Sequence, residues 1–307
     1  MAPPIKIPFS KPPRLFCDQV KVLESHGIII PDPAKAEFYL SQINYYRLSA
    51  YCLPFEESHA SHQVKPGTSF DDVLNLYIFD RELRLLLMDA IERIEVSLRT
   101  QMAYHLSHRH SSSHPHLDPR LFKNINKYQT GIGNLKKEVD KSNEDFIKHL
   151  KVKYQEQLPP IWAVVELMTM GQLSKWFSNI KTRQDRRAIT HIYGIDETLM
   201  TSFCEHLSLV RNIAAHHARL WNRDITKKMR LPTRGPSELR SSIWVLPDAD
   251  RRLRKLYNTF SMVLYLMNVI APEHHWKVHL KDLIKKHDID SSRMGFPVDW
   301  ESRPLWI

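Results

Sequence analysis

An arginine, an amide and a histidine fall within six residues at Arg211-Asn212-Ile213-Ala214-Ala215-His216. Together they carry the groups that cleavage of an RNA phosphodiester without a metal requires. Histidine, with an unperturbed pKa of about 6.5, can take the proton of a ribose 2′-hydroxyl or give one to a departing 5′-oxygen. Arginine stays charged and can hold the scissile phosphate by two hydrogen bonds while negative charge builds on it. Asn212 can orient the histidine or a phosphate oxygen. Spacing alone does not decide the matter, because an Arg and a His five apart are also what a solvated basic helix presents.

The element that must position these groups is a helix. Leu199, Phe203, His206, Leu207, Val210, Ile213, Ala214, His217 and Trp221 recur at three- and four-residue steps and predict one mainly apolar stripe. Arg211, Asn212 and His216 fall outside that stripe, with Asn212 and His216 one turn apart, so they are expected to face a cleft or a second subunit.

The hexapeptide matches the Arg, four residues, His signature of the HEPN superfamily of helical ribonucleases, with the polar residue that usually follows the arginine. The wider segment LVRNIAAHHARLWNR, Leu209 to Arg223, resembles the Abi (abortive infection) family related to AbiD and AbiF, a branch of bacterial antiphage defence. YLSQINYYRLSAY at 39–51, IFDRELRLLLMDAIERIEVSLRTQMAYHL at 78–106 and PPIWAVVELMTMGQLSKWF at 159–177 resemble the same family in the same order, so the likeness runs from about Lys11 to about Trp276. One position departs: some HEPN toxins that pair with a nucleotidyltransferase carry a tyrosine two residues after the histidine, where this chain has Ala218. That leaves the plain Arg/His type of site.

Composition agrees with a basic, helical protein. The formal charge of +10 points to a polyanionic partner, and eight glycines in 307 residues suit helices better than a turn-rich β fold. Cys17, Cys52 and Cys204 stand far apart without a CxxC, which indicates neither a zinc knuckle nor a disulfide framework. A reducing cytoplasm is the expected location, because MAPPIKIPFSKPPRLF lacks the apolar core of a signal peptide and no apolar run approaches the roughly 20 residues of a membrane span.

Along the chain, residues 1–14 read as a proline-rich extended arm. Two helices are expected at about Phe16–His26 and from Pro33 to about Pro54, then a polar loop with Pro66-Gly67. The aromatic content of that helix pair argues for packing rather than for the recognition face of a DNA-binding helix-turn-helix. After a cap at Ser69 or Asp71, a helix pair or one bent helix should run to about His108. His105, His108, His110, His114 and His116 flank Ser111-Ser112-Ser113 and Pro115 and read as histidines of a mobile surface loop rather than as a metal site. Lys123 to Lys153 is a basic, partly helical segment; its Gly131-Ile132-Gly133 follows no strand and so makes no dinucleotide loop. A single helix is expected after Pro159-Pro160, carrying Glu166 either as a buried partner for an arginine, Arg211 foremost, or as a helix-surface acid, whereas Glu95 and Arg99 read as a surface pair. A last helix should span about Asp248–Ile270, followed by a tail that folds back.

These readings give an all-α fold: an N-terminal arm and helical extension (1–68), a HEPN-like helical bundle (69–271) with a basic insertion at about 106–158, and a C-terminal tail (272–307). The function the resemblance implies is a metal-independent endoribonuclease of an abortive-infection or toxin–antitoxin system. It would act by 2′-hydroxyl attack, without a cofactor, as a homodimer whose two motifs share a cleft, and in company with a small non-coding RNA. His216 moves the proton, Arg211 stabilises the phosphorane and Asn212 positions one of them. Arg219, Asn222, Arg223, Lys227 and Lys228 are the expected RNA contacts, with Glu166 and His217 in support; Trp221 belongs to the core. The main alternative is an RNA-binding protein that holds a structured RNA on the same face and cuts nothing.

Overall fold

The computed structural model describes residues 8, 10–58 and 60–307, and among them every regular element is helical, with three isolated bridges and no strand. Of the proline-rich arm, residues 1–7 and 9 lie outside the described residues. The all-α expectation therefore holds. The chain divides into two compact units, Met1–Asp80 and Arg81–Ile307.

The first unit holds α1 (Phe16–Ser25), α2 (Pro33–Gln42) and α3 (Tyr45–Cys52). The helix expected from Pro33 to about Pro54 is broken, because Asn44 adopts non-helical backbone and its side chain accepts the Tyr46 N–H at 2.8 Å, capping a new helix. Val20, Leu23, Ala36, Leu40, Leu48 and Tyr51 are buried.

The second unit is built on α4 (Phe70–Arg109), which begins before the division. Its start is a reciprocal cap: the Ser69 hydroxyl accepts the Asp72 N–H at 3.2 Å and the Asp72 carboxylate accepts the Ser69 N–H at 2.8 Å. No Gly or Pro interrupts the following forty residues, so a single helix forms where a pair was the other option. The expectation of a mobile histidine loop after it is corrected. The buried Asp185 accepts from Arg109 at 2.7 Å and lies 3.3 Å from His110 Nε2, Pro115–Leu117 forms a 3₁₀ turn, and His116 is buried. Burial pushes the His116 imidazole down to about 3.

The basic segment forms α5 (Ile125–Lys141) and α6 (Asp145–Lys153). Gly131 sits inside α5, where an added Cβ would come within 3.0 Å of the Trp176 ring. The single helix expected after Pro160 is instead α7 (Ile161–Val164), a 3₁₀ turn at Val165–Leu167 and α8 (Met170–Asn179). Thr169 breaks it by forming a capping box with Gln172. Gly171 lets α8 approach α10 (Glu197–Ala215) closely, since a Cβ there would meet Ser208 Oγ at 3.1 Å. Between them α9 (Arg183–Thr190) carries Asp185.

After the short α11 (Ser237–Ser242), the expected Asp248–Ile270 helix divides into a 3₁₀ turn at Arg251–Arg254 and α12 (Tyr257–Ile270). Residues Tyr257 to Met267 of α12 are all buried, so it runs through the core. The chain closes with α13 (Trp276–Lys286) and a return to α12, where Trp306 is fully buried and its indole N–H reaches Ser261 Oγ at 3.3 Å. Among the described residues no helix is long and apolar enough to cross a membrane.

Candidate functional site

The stripe on α10 packs as expected down to Ala214: Leu199, Phe203, His206, Leu207, Val210 and Ile213 are all buried. His206 gives its Nδ1 proton to the Lys227 carbonyl at 2.5 Å, which leaves Nε2 to accept from the Thr259 hydroxyl at 2.8 Å. Burial holds this imidazole below its ordinary range. It is a neutral core histidine.

The helix does not continue to Trp221. It ends at Ala215, and His216 is the C-cap at φ −86°. His217 follows in the left-handed region at φ 57°, its N–H bonded to the Ala214 carbonyl at 3.0 Å, while the Ala218 N–H reaches back to Ile213 at 3.0 Å. This pair of bonds is a Schellman ending with histidine where glycine is usual. It turns the expected stripe member His217 out to solvent, whereas Trp221 is buried. His216, His217 and Asn212 are exposed together at the helix end, and Arg211 is half-buried one turn before it.

Glu166 is not the partner of Arg211. Its carboxylate is half-exposed and accepts from Arg99 Nη1 at 3.3 Å. The charge of Arg211 is felt by Glu95 of α4, and the expected surface pair of Glu95 and Arg99 is a largely buried one. Arg99 Nη2 donates to Glu95 at 2.5 Å and also to the Met168 carbonyl, tying α4 to the 3₁₀ turn before α8. Burial pushes the Glu95 carboxyl above the ordinary range, and the Arg99 and Arg211 charges bring it part of the way back. Arg211 Nε is buried without a hydrogen-bond partner. Sequence reasoning misses Glu95 and Arg99 because an i,i+4 pair looks alike whether it faces water or a neighbouring helix.

The other expected contacts separate into two kinds. Arg223 is exposed, its Nη1 donating to the Arg219 carbonyl at 3.3 Å, and Arg219 is half-buried. Lys227 pairs with Glu205, and Lys228 with Asp248 at 2.7 Å. Asn222, in the left-handed region at φ 52°, accepts the Lys255 ammonium on its side-chain oxygen at 2.7 Å and on its carbonyl at 2.9 Å. It supports the loop rather than offering a free amide. Among the described residues no group of three or more His, Cys, Asp or Glu is placed to hold a metal ion.

The fold and site thus define an all-helical protein with a basic Arg/His cluster at the end of a core helix. Residues 38–222 match the family model of Abi-like proteins, and the chain belongs to that family. Membership associates it with abortive infection as a mode of defence. No curated protein and no solved structure matches the chain.

Proposed function

We propose that this protein is a metal-independent endoribonuclease of the HEPN type, acting in abortive-infection or toxin–antitoxin defence. The observation that carries the reading is the half-buried Arg211, whose charge reaches the buried Glu95, five residues before an exposed His216. A cation and a solvent-facing imidazole near one helix end suit a phosphodiester. In the reaction the 2′-oxygen forms its bond to phosphorus and the bond to the 5′-oxygen breaks, leaving a 2′,3′-cyclic phosphate and a 5′-hydroxyl. One imidazole removes the 2′-hydroxyl proton and a second protonates the 5′-oxygen. His216 of each protomer in a homodimer supplies both, with Arg211 stabilising the phosphorane. Asn212 orients phosphate or ring, and His217 supports the site.

The RNA partners are a substrate strand and a small non-coding RNA that restrains or guides the enzyme, met by Arg219, Arg223, Lys227 and Lys228. The test is His216→Ala in cells, with mapping of 5′-hydroxyl RNA ends. Loss of toxicity and of wild-type-only ends, with RNA still co-purifying, supports the enzyme. Unchanged toxicity moves the assignment to a non-catalytic RNA-binding protein.

A further inference from the structure

The forty residues 216–255 contain eleven Lys and Arg against four Asp and Glu, an excess of seven out of the chain's net +10. The rest of the molecule is nearly balanced, so the charge that suits a polyanion is concentrated just beyond the helix end that carries His216. The structure gathers this segment into one feature. The Ile225 N–H bonds to the Arg254 carbonyl at 2.8 Å, which lays the loop after α10 against the 3₁₀ turn Arg251–Arg254. Lys255, mostly buried, locks the two together by donating to Asn222 and by an ion pair with Asp224 at 2.7 Å. From behind, the Leu256 N–H bonds to the Met294 carbonyl at 3.0 Å. Gly295, at φ 80°, leaves room for Lys255, whose Cβ a side chain there would meet at 2.6 Å.

A 3₁₀ turn repeats every three residues, so Arg251 and Arg254 share a face. Arg251 is largely exposed, and its partner Asp224 is divided between Arg251 and Lys255. The middle arginine, Arg252, lies with its guanidinium 4.8 Å from the centre of the Trp244 ring. Asn258 fixes the backbone of Trp244 from both sides, accepting its N–H at 2.8 Å and donating to its carbonyl at 2.9 Å. A row of arginines ending in a held aromatic–guanidinium stack suits a flexible strand, with phosphates on the cations and a base on the stack.

We propose that Arg223, Arg251 and Arg254, with Trp244 and Arg252, form a track for single-stranded RNA running from the Arg211/His216 cluster. This deepens the ribonuclease reading, and it rests on that reading for the nature of the ligand. The test is fluorescence anisotropy of labelled oligouridylate with full-length His216→Ala protein, across a salt series. Combining Arg223→Gln, Arg251→Gln and Arg254→Gln should weaken binding about tenfold or more at low salt. It should also lower the slope of log affinity against log salt by about 0.7 for each phosphate no longer neutralised. The matching three-lysine variant should keep the slope, which separates lost charge from lost folding. Trp244→Ala should weaken binding roughly tenfold with the slope unchanged. A slope unaltered by the three-glutamine variant, or no salt-dependent binding of oligouridylate by the parent, overturns the track. Failure of the catalytic reading looks different: binding and slope behave as stated, but the wild type makes no 5′-hydroxyl ends.

Discussion

Arg99 and Glu95 are joined at 2.5 Å one turn apart on α4, and the same buried carboxylate faces the charge of Arg211 on α10. On the proposed ribonuclease reading, Glu95 is the carboxylate whose charge bears on the Arg211 cation. Glu95→Gln keeps the shape but removes the charge. The expected outcome is a fall in kcat of about tenfold to a hundredfold with KM little changed, since the interaction matters most as charge develops. Equal changes in both constants, or none, would remove Glu95 from the site. Glu95→Ala should also cost roughly 1–3 kcal/mol of stability, read from urea unfolding, with Arg99 keeping Glu166 and the Met168 carbonyl as partners.

His217 occupies the left-handed position that ends α10, at φ 57°. An L-residue there carries a penalty of about 1 kcal/mol that glycine avoids. His217→Gly is expected to raise stability by about 0.5–1 kcal/mol. Its effect on cleavage isolates the ring: a more stable protein that cuts more slowly assigns the imidazole a supporting role, whereas unchanged cleavage leaves His217 a backbone element only.

Lys255 is a single side chain with two hydrogen-bond acceptors on Asn222 and an ion pair to Asp224. Replacing it with Met keeps the length of the chain but leaves those acceptors unmet. The expected cost is about 1–3 kcal/mol, and the loop 219–225 should become more sensitive to protease than in the wild type. Protection equal to the wild type would show that the Ile225–Arg254 bond and the Arg251–Asp224 pair hold the loop without Lys255.

The helices are legible in the sequence where apolar spacing is long and uninterrupted, as in α4 and α10. They are obscured where one polar side chain competes for the backbone. Asn44 and Thr169 each cap a new helix inside an apolar run, and their pattern of neighbours continues as though nothing had happened. The end of α10 is hidden for a related reason: no Gly or Pro marks it, and His217 takes a conformation that histidine rarely adopts. At the site, the motif names Arg211, Asn212 and His216, and all three lie at the end of one helix. Which carboxylate lies within reach of the Arg211 charge depends on how distant helices come together, and no local spacing encodes that; hence the sequence points to Glu166, whereas Glu95 is the carboxylate that feels Arg211.

His116 gives a pH dependence with a definite sign. Its imidazole is buried, and burial first, then the neighbouring His114, lower its pKa to about 3 from an ordinary 6.5. A base whose folded pKa is depressed contributes its full stability above about pH 6.5 and loses it as the pH falls toward the folded value. Each tenfold difference in proton affinity is worth about 1.4 kcal/mol. His206 acts in the same direction, being held neutral by burial between Lys227 and Thr259. Carboxylates such as Asp185, whose burial is outweighed by bonds from Arg109 and Thr182, lie below their usual range and lose their contribution only at lower pH. In the interval from about pH 6.5 to 4.5 the buried histidines lose stability, while Glu95, raised by burial, protonates with the opposite sign as one group against two. Urea unfolding of the wild type should show stability falling steadily across it, and His116→Phe, which fills the same space without a titrating group, should fall less steeply. Parallel curves for the two proteins would mean that the His116 ring meets water or a proton acceptor in solution.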